Sequence, residues 1–205
     1  MNKILTDRPG PMLYPVPAVM VSCGTMEQSN IITIAWTGIV NSDPPMTYVS
    51  VRKSRFSHGL IAESGEFVIN LVTADLASAA DFCGVRSGRD MDKFEKAGLT
   101  RQAGDQVKAP LIAESPVNLE CKVFDVKELP THDMFLAEIV AVHIDETLKD
   151  EAGAYHFEGL DLVSYNHGHY YPVSRRPFGR FGYSVMKPKT KRRLNRQKQK
   201  DAADK

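Results

Sequence analysis

The sequence predicts a mainly β protein with helices inserted singly, built as a closed or partly open antiparallel barrel. Two observations lead to this class. Most apolar runs are short, rich in β-branched or aromatic residues, and bounded by turns that contain Gly, Pro, Asn or Asp. Two long alternating runs also follow one another across a short turn, which is typical of an antiparallel pair rather than of βαβ units.

The first half of the chain begins with an extended arm, followed by a strand at 18–23 and a polar turn at 24–29. Two β-rich runs, 31–40 and 47–51, flank an Asn-Ser-Asp-Pro-Pro turn. The chain must bend there because Pro44 and Pro45 cannot continue a sheet ladder. A short helix is predicted at 57–63, where Ser64 and Gly65 stop it. A strand follows at 66–72.

The second half contains two predicted helices, 73–82 and 90–97, separated by a glycine-punctuated loop. An irregular segment leads to the two long strands, 117–124 and 135–144, with a turn at 128–133 between them. A polar excursion follows at 147–159, and short strands are expected at 160–164 and 169–173. We expect an arm at 1–13, one domain at 14–186 and a basic tail at 187–205.

Composition and charge limit the classes of function that the protein can have. The chain has 205 residues and a net charge of +1, but from Lys187 onward nine residues are basic and two are acidic. We expect this tail to be disordered or a frayed helix, and not to bind nucleic acid, because no aromatic residues interleave with its charges. No apolar run reaches the roughly 20 residues that span a bilayer, and the start of the chain has no signal-like apolar core. We therefore expect a cytoplasmic protein that does not enter a membrane.

Cysteine and histidine patterns favour neither a disulfide framework nor a metal site. The three cysteines are odd in number and form no Cys-x-x-Cys, so each is expected to be a small buried residue. His167 and His169 could share a strand face, but no third ligand stands near them in the sequence. No metal is therefore predicted. Thr131, His132 and Asp133 have the residue types of a hydrolytic site, yet no nucleophile is placed to use them.

The strongest chemical signal is a cationic bend at the end of the run 47–51. Arg52, Lys53, Ser54 and Arg55 lead directly into a predicted helix start. Free backbone N–H groups, the positive helix end and the side-chain charges together favour a phosphate there. A solvated basic turn before an ordinary helix is the alternative. Asn70, a polar residue in an apolar run, either bonds to backbone inside the fold or contacts a polar ligand.

Several motifs occur in an order that resembles the flavin reductase-like family of flavoredoxin type. They include Asn30-Ile-Ile-Thr-Ile-Ala-Trp, Ser42-Asp-Pro-Pro-Met, Arg52-Lys-Ser-Arg-Phe-Ser-His and Asp81-Phe-Cys-Gly-Val-Arg-Ser-Gly-Arg-Asp-Met-Asp-Lys-Phe. The resemblance covers residues 14–186. It implies a six-stranded antiparallel Greek-key split β-barrel, the FMN-binding split barrel. It also implies a homodimer with FMN in a groove beside the barrel.

The resemblance assigns site residues as well. The strand along the flavin would supply Asn30, Thr33, Ala35, Trp36 and Thr37. The FMN phosphate would be held by Arg52, Lys53, Ser54 and Ser57. Asn70 would lie near the ribityl chain, and a loop containing Cys83, Gly84 and Ser87 would close over the flavin or meet the partner subunit. His132 would face the flavin as the catalytic residue, where it could meet a nicotinamide.

The function implied is an FMN-binding oxidoreductase that takes hydride from NAD(P)H, its possible co-substrate, and passes electrons to flavin, an iron complex or a protein acceptor. Flavin would supply the chemistry, which agrees with a sequence that has no catalytic triad. The alternative is an FMN-binding module or electron carrier without NAD(P)H activity. Two departures from the family pattern bear on this choice. Ala137 and Thr131 stand where glycine is usual, and we expect Ala137 to narrow the space for a nicotinamide.

Overall fold

The computed structural model describes residues 1–190 and 192–193. Contacts group the chain into two units, Met1–Val173 and Ser174–Lys205. The second unit contains one 3₁₀ turn, Tyr183–Val185, among its described residues. The tail prediction falls largely on residues 191 and 194–205, which lie outside the described residues. The proposed domain bounds of 14–186 stay a prediction.

Strands dominate the first unit, as the sequence predicts. The described residues contain β1 Val16–Pro17, β2 Val19–Gly24, β3 Ser29–Ile34, β4 Thr37–Ser42, β5 Pro45–Arg52, β6 Glu66–Leu71, β7 Arg101–Gln102, β8 Leu111–Ile112, β9 Val117–Glu128, β10 His132–Ile144, β11 Val163–Asn166 and β12 His169–Pro172. Seven of them form one antiparallel sheet in the order β3-β2-β6-β9-β10-β5-β4. Two small sheets, β1-β11-β12 and β7-β8, complete the pattern.

The split-barrel fold class is confirmed, but the count of six strands is wrong by one in the described residues. The predicted run 31–40 is two strands, because the chain changes partner at Ala35 and Trp36. Before that point β3 pairs with β2, and after it β4 pairs with β5. The carbonyl of Trp36 also accepts a hydrogen bond from Ser50 N of β5 at 3.0 Å. The two outer strands of the sheet are therefore consecutive in the chain, and the sheet curls on itself.

Helices are short and lie outside the sheet. Their bounds are α1 Phe56–Ser64, α2 Ala77–Val85 and α3 Lys93–Ala97. The helix predicted at 73–82 is a 3₁₀ turn, Ala74–Leu76, that runs into α2. The helix predicted at 90–97 begins later because the carboxylate of Asp92 caps it, accepting hydrogen bonds from the N–H groups of Phe94 and Glu95. Gly65 ends α1 in the left-handed region at φ 66°, as predicted.

Two hydrophobic cores share β2 and β3, which are buried on both faces. Val19, Val21 and Ile32 point into the barrel, where Val49, Ile61, Phe67 and Phe135 meet them. Met20 and Ile31 point outward and pack with Ala80, Cys83 and Phe94 of α2 and α3. Alternate residues of the same strands thus serve two cores, which explains their continuous apolar sequence. No helix of the described residues is long and apolar enough to cross a membrane.

Candidate functional site

Two adjoining hollows lie beside β3. The aromatic chamber encloses about 430 Å³ and contains Trp36, His132 and three tyrosines. The cationic chamber encloses about 460 Å³. The two share four lining residues: Ile32, Arg52, Arg55 and Gly84. They therefore form one continuous cleft, with an apolar, ring-lined end and a charged end.

β3 gives this cleft a backbone wall. It is a terminal strand of the sheet and pairs only with β2 in the described sheet order, so one edge of its backbone has no partner strand. Thr33 and Ala35 lie in the wall of the aromatic chamber. The hydroxyl of Thr33 donates to the carbonyl of Ala80, which fixes α2 against the strand. An unpaired strand edge presents both N–H and C=O groups to a ligand that lies along it.

The cationic chamber concentrates positive charge without a carboxylate in its wall. Serine hydroxyls line it as well, from Ser54, Ser57 and Ser87. Its five cations come from β5, the α1 turn, the loop after α2, and α3: Arg52, Arg55, Arg86, Arg89 and Lys93. Among the described residues none of these five forms an ion pair with an acidic group. Such a cluster repels itself unless an anion binds between its members.

Lys93 lies at the floor of the cationic chamber and is 3% exposed. Its ammonium donates to the carbonyl of Ile31 at 2.8 Å and to that of Cys83 at 2.7 Å. Burial lowers the pKa of Lys93 from its usual value, and the charge of Arg55 lowers it further. Since an ammonium has three N–H donors and two are used, one donor remains for a ligand.

Asn30 and Ser57 join β3 to the start of α1. The amide Nδ2 of Asn30 donates to the hydroxyl of Ser57 at 2.8 Å. Its Oδ1 is buried and has no hydrogen-bond partner. Gly88 sits directly over this amide, since a Cβ there would come within 2.1 Å of Oδ1. A buried acceptor without a partner is rare, and in a chamber wall it is suited to a ligand hydroxyl.

The start of α1 adds a helix N-terminus to the cationic chamber. Arg55 takes the N-cap position without a side-chain hydrogen bond, and no acidic residue stands in the first turn. The carboxylate or hydroxyl oxygen that usually caps a helix is therefore missing here. The positive end of the helix and the guanidinium of Arg55 both face the same chamber.

Trp36 and His132 form the ring-lined end of the cleft. Their ring centroids lie 4.7 Å apart at 42°, and Trp36 is 41% exposed, so it is not part of the core. His132 begins β10 directly opposite Arg52 of β5. Burial lowers the pKa of His132, and the nearby charge of Arg52 lowers it further. The imidazole is thus neutral near pH 7, with Nδ1 2.8 Å from the hydroxyl of Thr131.

Three tyrosines close the far side of the aromatic chamber. Tyr165 and Tyr170 face each other across β11 and β12 with centroids 5.6 Å apart, and Tyr14 lies 6.2 Å from Tyr165. Burial raises the pKa of Tyr170 to about 12, with a contribution from Asp81. The three rings offer flat apolar surface with a polar tip, which suits a planar ligand.

A charged cluster beside the cleft ties β10 to α1 and to the turn that precedes it. Asp133 follows His132 on β10, and its Oδ2 lies 2.7 Å from Nε2 of His58 on α1. Lys53 Nζ lies 3.1 Å from Oδ1, close enough for an ion pair although not aligned for a hydrogen bond. Burial raises the pKa of Asp133, but His58 and Lys53 outweigh it, so the net pKa is lowered.

The cleft brings together most of the residues that the sequence singled out. The aromatic chamber contains Thr33, Ala35, Trp36, Arg52, Gly84 and His132. The cationic chamber contains Asn30, Arg52, Ser54, Ser57, Cys83, Gly84 and Ser87. The roles assigned to these residues stay predictions, and the cleft shows only that they lie together.

Three predicted residues lie away from both chamber walls. Thr37 donates to the carbonyl of Tyr48 at 2.5 Å, and Lys53 is directed toward Asp133 and Glu128. Asn70 is fully buried, donating to the carbonyl of Met20 and accepting from the N–H of Ile112. Asn70 thus fulfils the first alternative that the sequence left open, a backbone bond inside the fold.

Ala137 does not narrow the cleft, so that expectation is wrong. Its side chain is 0% exposed and belongs to the barrel core, because alternation along β10 turns it to the opposite face from the cleft. The cysteines are confirmed as buried residues. Burial raises the pKa of Cys23 to about 12 and that of Cys83 to about 11, so neither thiol is a nucleophile near pH 7.

Sequence reasoning missed Lys93, Gly88 and the tyrosines. A lysine in the first turn of a helix interacts unfavourably with the helix dipole. This position therefore indicates that Lys93 has a role other than stabilising the helix. The sequence places Gly88 in a glycine-punctuated loop but does not show its contact with Asn30, because that contact joins residues 58 positions apart in the chain. Tyr165 and Tyr170 required the pairing of β11 with β12, which brings them face to face.

Comparison with known proteins agrees with this geometry. The sequence model of the family described as "Flavin reductase like domain" matches residues 12–174. An uncharacterized protein of Archaeoglobus fulgidus is 35% identical over 138 residues, which are 67% of this chain and 77% of that protein. The structure of a flavoredoxin of Desulfovibrio vulgaris (Miyazaki F) superposes with a TM-score of 0.81 at 32% identity, covering 90% of this chain and 100% of that one.

A second solved structure is similar over nearly the same range. It is an FMN-binding protein from Thermus thermophilus, solved with bound 1-cyclohex-2-enone. It superposes with a TM-score of 0.75 at 26% identity, covering 88% of this chain and 100% of that one.

Proposed function

We propose that this chain, which belongs to the family of flavin reductase-like domains, is an FMN-binding oxidoreductase that uses NAD(P)H as electron donor. The observation that carries the proposal is the joining of a cationic chamber to a ring-lined chamber along the edge of β3 that has no partner strand. A ligand with a planar ring system and a phosphate at the end of a polar chain matches that order of surfaces. FMN has this construction, and two of the similar structures are named as a flavoredoxin and an FMN-binding protein.

The residues present fit the phosphate end of FMN. Lys93 has one free donor, Ser57 offers a hydroxyl, and Arg55 stands at the helix N-terminus. The unpartnered Oδ1 of Asn30 lies in the same wall and would accept from a chain hydroxyl. Lys93 has a donor, and Asn30 an acceptor, without an internal partner, whereas the hydroxyl of Ser57 already accepts from Nδ2 of Asn30.

The residues at the other end fit a ring. Thr33 on β3 and Ala35 directly after it line the aromatic chamber, and Trp36 and His132 supply flat surface beside them. When bound, FMN supplies the redox chemistry, accepting hydride and passing electrons on, so no protein nucleophile is required. The protein's part is to orient the ring, exclude water, and keep His132 neutral beside the reacting face.

The experiment that tests binding is a visible spectrum of the purified protein before and after adding FMN. We expect a yellow protein, or flavin absorbance that is retained after desalting. A protein that stays colourless and retains no flavin would contradict the proposal.

The donor is tested separately, because an FMN-binding electron carrier without NAD(P)H activity is the competing function. NADH and NADPH oxidation are measured with excess FMN or an iron complex as acceptor. Turnover with either nucleotide supports the reductase. Bound FMN that dithionite reduces, but neither nucleotide does, would favour the carrier.

The proposal includes a homodimer. β4 is the other terminal strand of the seven-stranded sheet, and its side chains Ile39 and Val40 are 70% and 49% exposed. An exposed apolar edge of this kind usually needs cover. Sedimentation equilibrium should give twice the chain mass, and a monomer at all concentrations would contradict a dimer.

A cytoplasmic location is the remaining part of the proposal, tested by cell fractionation.

A further inference from the structure

Potential metal ligands meet on the face of the large sheet that is turned away from the barrel core. Glu120 stands on β9 beside Cys121, which belongs to the barrel core, so alternation directs Glu120 to the other face. His143 on β10 is its diagonal neighbour across the β9–β10 ladder. Neither side chain lines the cleft, so this group is separate from the site described above.

Asp105 brings the third potential ligand from the segment between β7 and β8. Its backbone N–H donates to Oε1 of Glu120 at 2.9 Å, which holds Asp105 beside the strand pair. Gly104 permits this approach, since a Cβ there would come within 2.7 Å of Oε2 of Glu120. One oxygen of each carboxylate and a ring nitrogen of His143 all lie within 4.8 Å of one another. Donors from three separate elements thus converge on one point.

The group carries negative charge that no strong cation balances. Among the described residues, neither Asp105 nor Glu120 forms an ion pair with a lysine or an arginine, and the basic group between them is the imidazole of His143. Metal ligands bind in their deprotonated forms, as carboxylate and neutral imidazole. In those forms the three side chains carry a charge of about −2, which one divalent cation would neutralise.

The distances are close to those of a zinc shell. Zn–N and Zn–O bonds of about 2.0–2.2 Å in a tetrahedron place neighbouring ligand atoms roughly 3.4 Å apart. The distances from Nε2 of His143, 2.5 Å to Oε1 of Glu120 and 3.9 Å to Oδ2 of Asp105, lie on either side of that value. The side chain of Asp105 is 78% exposed, so it can turn toward the imidazole without disturbing the core.

A bound ion would take the place of one proton. In the metal-free protein this proton lies between Nε2 of His143 and Oε1 of Glu120. On binding it is released to solvent, and both atoms then coordinate the ion. Glu120 keeps its other hydrogen bonds, which come from the N–H groups of Asp105, Gln106 and Val107. The buried carboxylate is therefore already oriented by the segment that also supplies the third ligand.

We propose that Asp105, Glu120 and His143 bind one divalent transition-metal ion of the zinc class, with water in the fourth position. A shell of mixed imidazole nitrogen and carboxylate oxygen favours such an ion over Mg²⁺ and Ca²⁺, which prefer oxygen alone. Asp105 and His143 reach solvent, which gives the ion a path of entry. Once bound, it fastens the segment 104–107 to β9 and β10, so its role is structural and independent of the flavin cleft.

The sequence gives no sign of this site because its ligands are far apart in the chain. Asp105 stands 15 positions before Glu120, and His143 stands 23 positions after it. Only the β9–β10 pairing and the hydrogen bonds to Glu120 bring the three together.

The test measures Zn²⁺ binding to the full chain after chelator treatment, by competition with a coloured zinc chelator. Asp105→Asn and His143→Gln each remove one ligand, whereas Glu120 is kept because it anchors the fold. The matched controls are Glu138→Gln and His169→Gln, since both residues are exposed and lie outside the group. The melting temperature of each variant, with and without Zn²⁺, shows that it is folded and reports any stabilisation by the ion.

We expect the wild type to bind one Zn²⁺ per chain, to melt at a higher temperature with it, and to retain it in about a hundredfold excess of Mg²⁺. Each ligand variant should bind Zn²⁺ about tenfold more weakly or worse and lose the rise in melting temperature. Both controls should behave as the wild type does.

Three results would overturn the inference. Equal Zn²⁺ affinity in the ligand variants and the wild type would place the ion elsewhere, for example at His156 and its carboxylate neighbours. Displacement of Zn²⁺ by an equal concentration of Mg²⁺ would show an ordinary acidic surface. A wild type that binds no Zn²⁺ would leave Glu120 and His143 as a hydrogen-bonded pair. Because the measurement needs no flavin, none of these outcomes bears on the proposed function.

Discussion

Lys93 is a buried ammonium whose environment contains carbonyls but no carboxylate. Its contacts with Ile31 and Cys83 hold it between β3 and α2, at the floor of the cationic chamber. A buried cation satisfied only by neutral acceptors is costly to maintain. A phosphate at its third donor would offset that cost, which gives the residue a functional reason for its position.

Replacing this ammonium should weaken FMN more than riboflavin. In Lys93→Met we expect FMN affinity to fall about tenfold or more, since a charge-assisted hydrogen bond is lost. Riboflavin, which has no phosphate, should change by less than about threefold. Fluorescence titration with both ligands measures the difference, and Lys122→Met serves as the control. Equal losses for the two ligands would show that Lys93 supports the fold and not the phosphate.

His132 allows a prediction about the donor reaction, on the proposal that the protein oxidises NAD(P)H. Its lowered pKa keeps the imidazole neutral at pH 7. Turnover should therefore be constant through neutral pH and fall as the pH drops through this lowered value, where the ring becomes charged. His132→Asn should turn over about 100-fold more slowly if the ring moves a proton, and should lack that acid limb. A variant with wild-type turnover and pH profile would remove His132 from the mechanism.

At the residue scale, the sequence predicted individual site residues best where one local segment supplies them. Arg52, Ser54 and Ser57 stand within six positions on the strand-to-helix turn, and all three reach the cationic chamber. Lys53 is in the same segment but is directed toward Asp133, 80 positions later in the chain. Spacing alone could not show which cation of a basic run faces the cleft, because that depends on the register of β10 against β5.

Buried polar side chains help to hold strands and loops in place. Glu120 on β9 is the clearest example. It is 0% exposed and accepts hydrogen bonds from the N–H groups of Asp105, Gln106 and Val107. Its Oε1 lies 2.5 Å from Nε2 of His143. Burial raises the pKa of Glu120, but these hydrogen bonds outweigh it and the net pKa is lowered. The irregular segment between β7 and β9 is thereby tied to the barrel.

The lowered pKa of Glu120 fixes the sign of a stability prediction. A carboxyl whose pKa is lower when folded contributes stability above its unfolded pKa of about 4.3, and that contribution is lost as pH falls through the folded value. Glu120→Gln should lower the free energy of unfolding by about 1.5–3 kcal/mol at pH 7. The deficit should shrink in acid. Urea unfolding measures both.

Glu138 supplies the control for this prediction. It is exposed on β10, so Glu138→Gln should change the free energy of unfolding by less than about 0.5 kcal/mol. An unchanged stability of Glu120→Gln at pH 7, or a deficit that grows in acid, would show that the buried carboxylate is not the anchor.

Two glycine-to-alanine substitutions can be compared, one in helix α1 and one in the loop after α2. Gly59 is exposed in α1 with nothing within 4 Å of an added Cβ, so Gly59→Ala should stabilise the protein by about 0.4–1 kcal/mol. Gly88→Ala would bring a methyl into Asn30 and force the loop after α2 away. We expect this variant to lose FMN affinity with little loss of melting temperature. Equal flavin affinity in both variants would contradict a closed loop over the cationic chamber.

At the element scale, the sequence predicted the longer strands and α1 well because their signals are local, and it missed the two-residue strands β1, β7 and β8. Alternation identified β9 and β10, and the Ser-Gly pair identified the end of α1. The division of the run 31–40 into β3 and β4 was missed, since most residues on both sides favour a strand. Only the change of pairing partner at Trp36, from β2 to β5, separates them.

The first unit as a whole is a barrel whose two terminal strands have different tasks. β3 lies at one end of the sheet order and forms the wall of the cleft, and β4 lies at the other end with exposed apolar side chains. One edge is proposed to bind FMN and the other to bind a second copy of the chain. The sequence indicated this architecture through its resemblance to a family, whereas the barrel closure itself depends on contacts between distant segments.

The most direct test of the central claim is the affinity of the wild-type protein for FMN relative to riboflavin, measured at low and at moderate salt. We expect FMN to bind at least about tenfold more tightly than riboflavin, because only FMN places a phosphate among the five cations. Added salt should reduce this advantage by screening the exposed arginines. Equal affinity for the two flavins, or no binding of FMN at either salt concentration, would contradict the account.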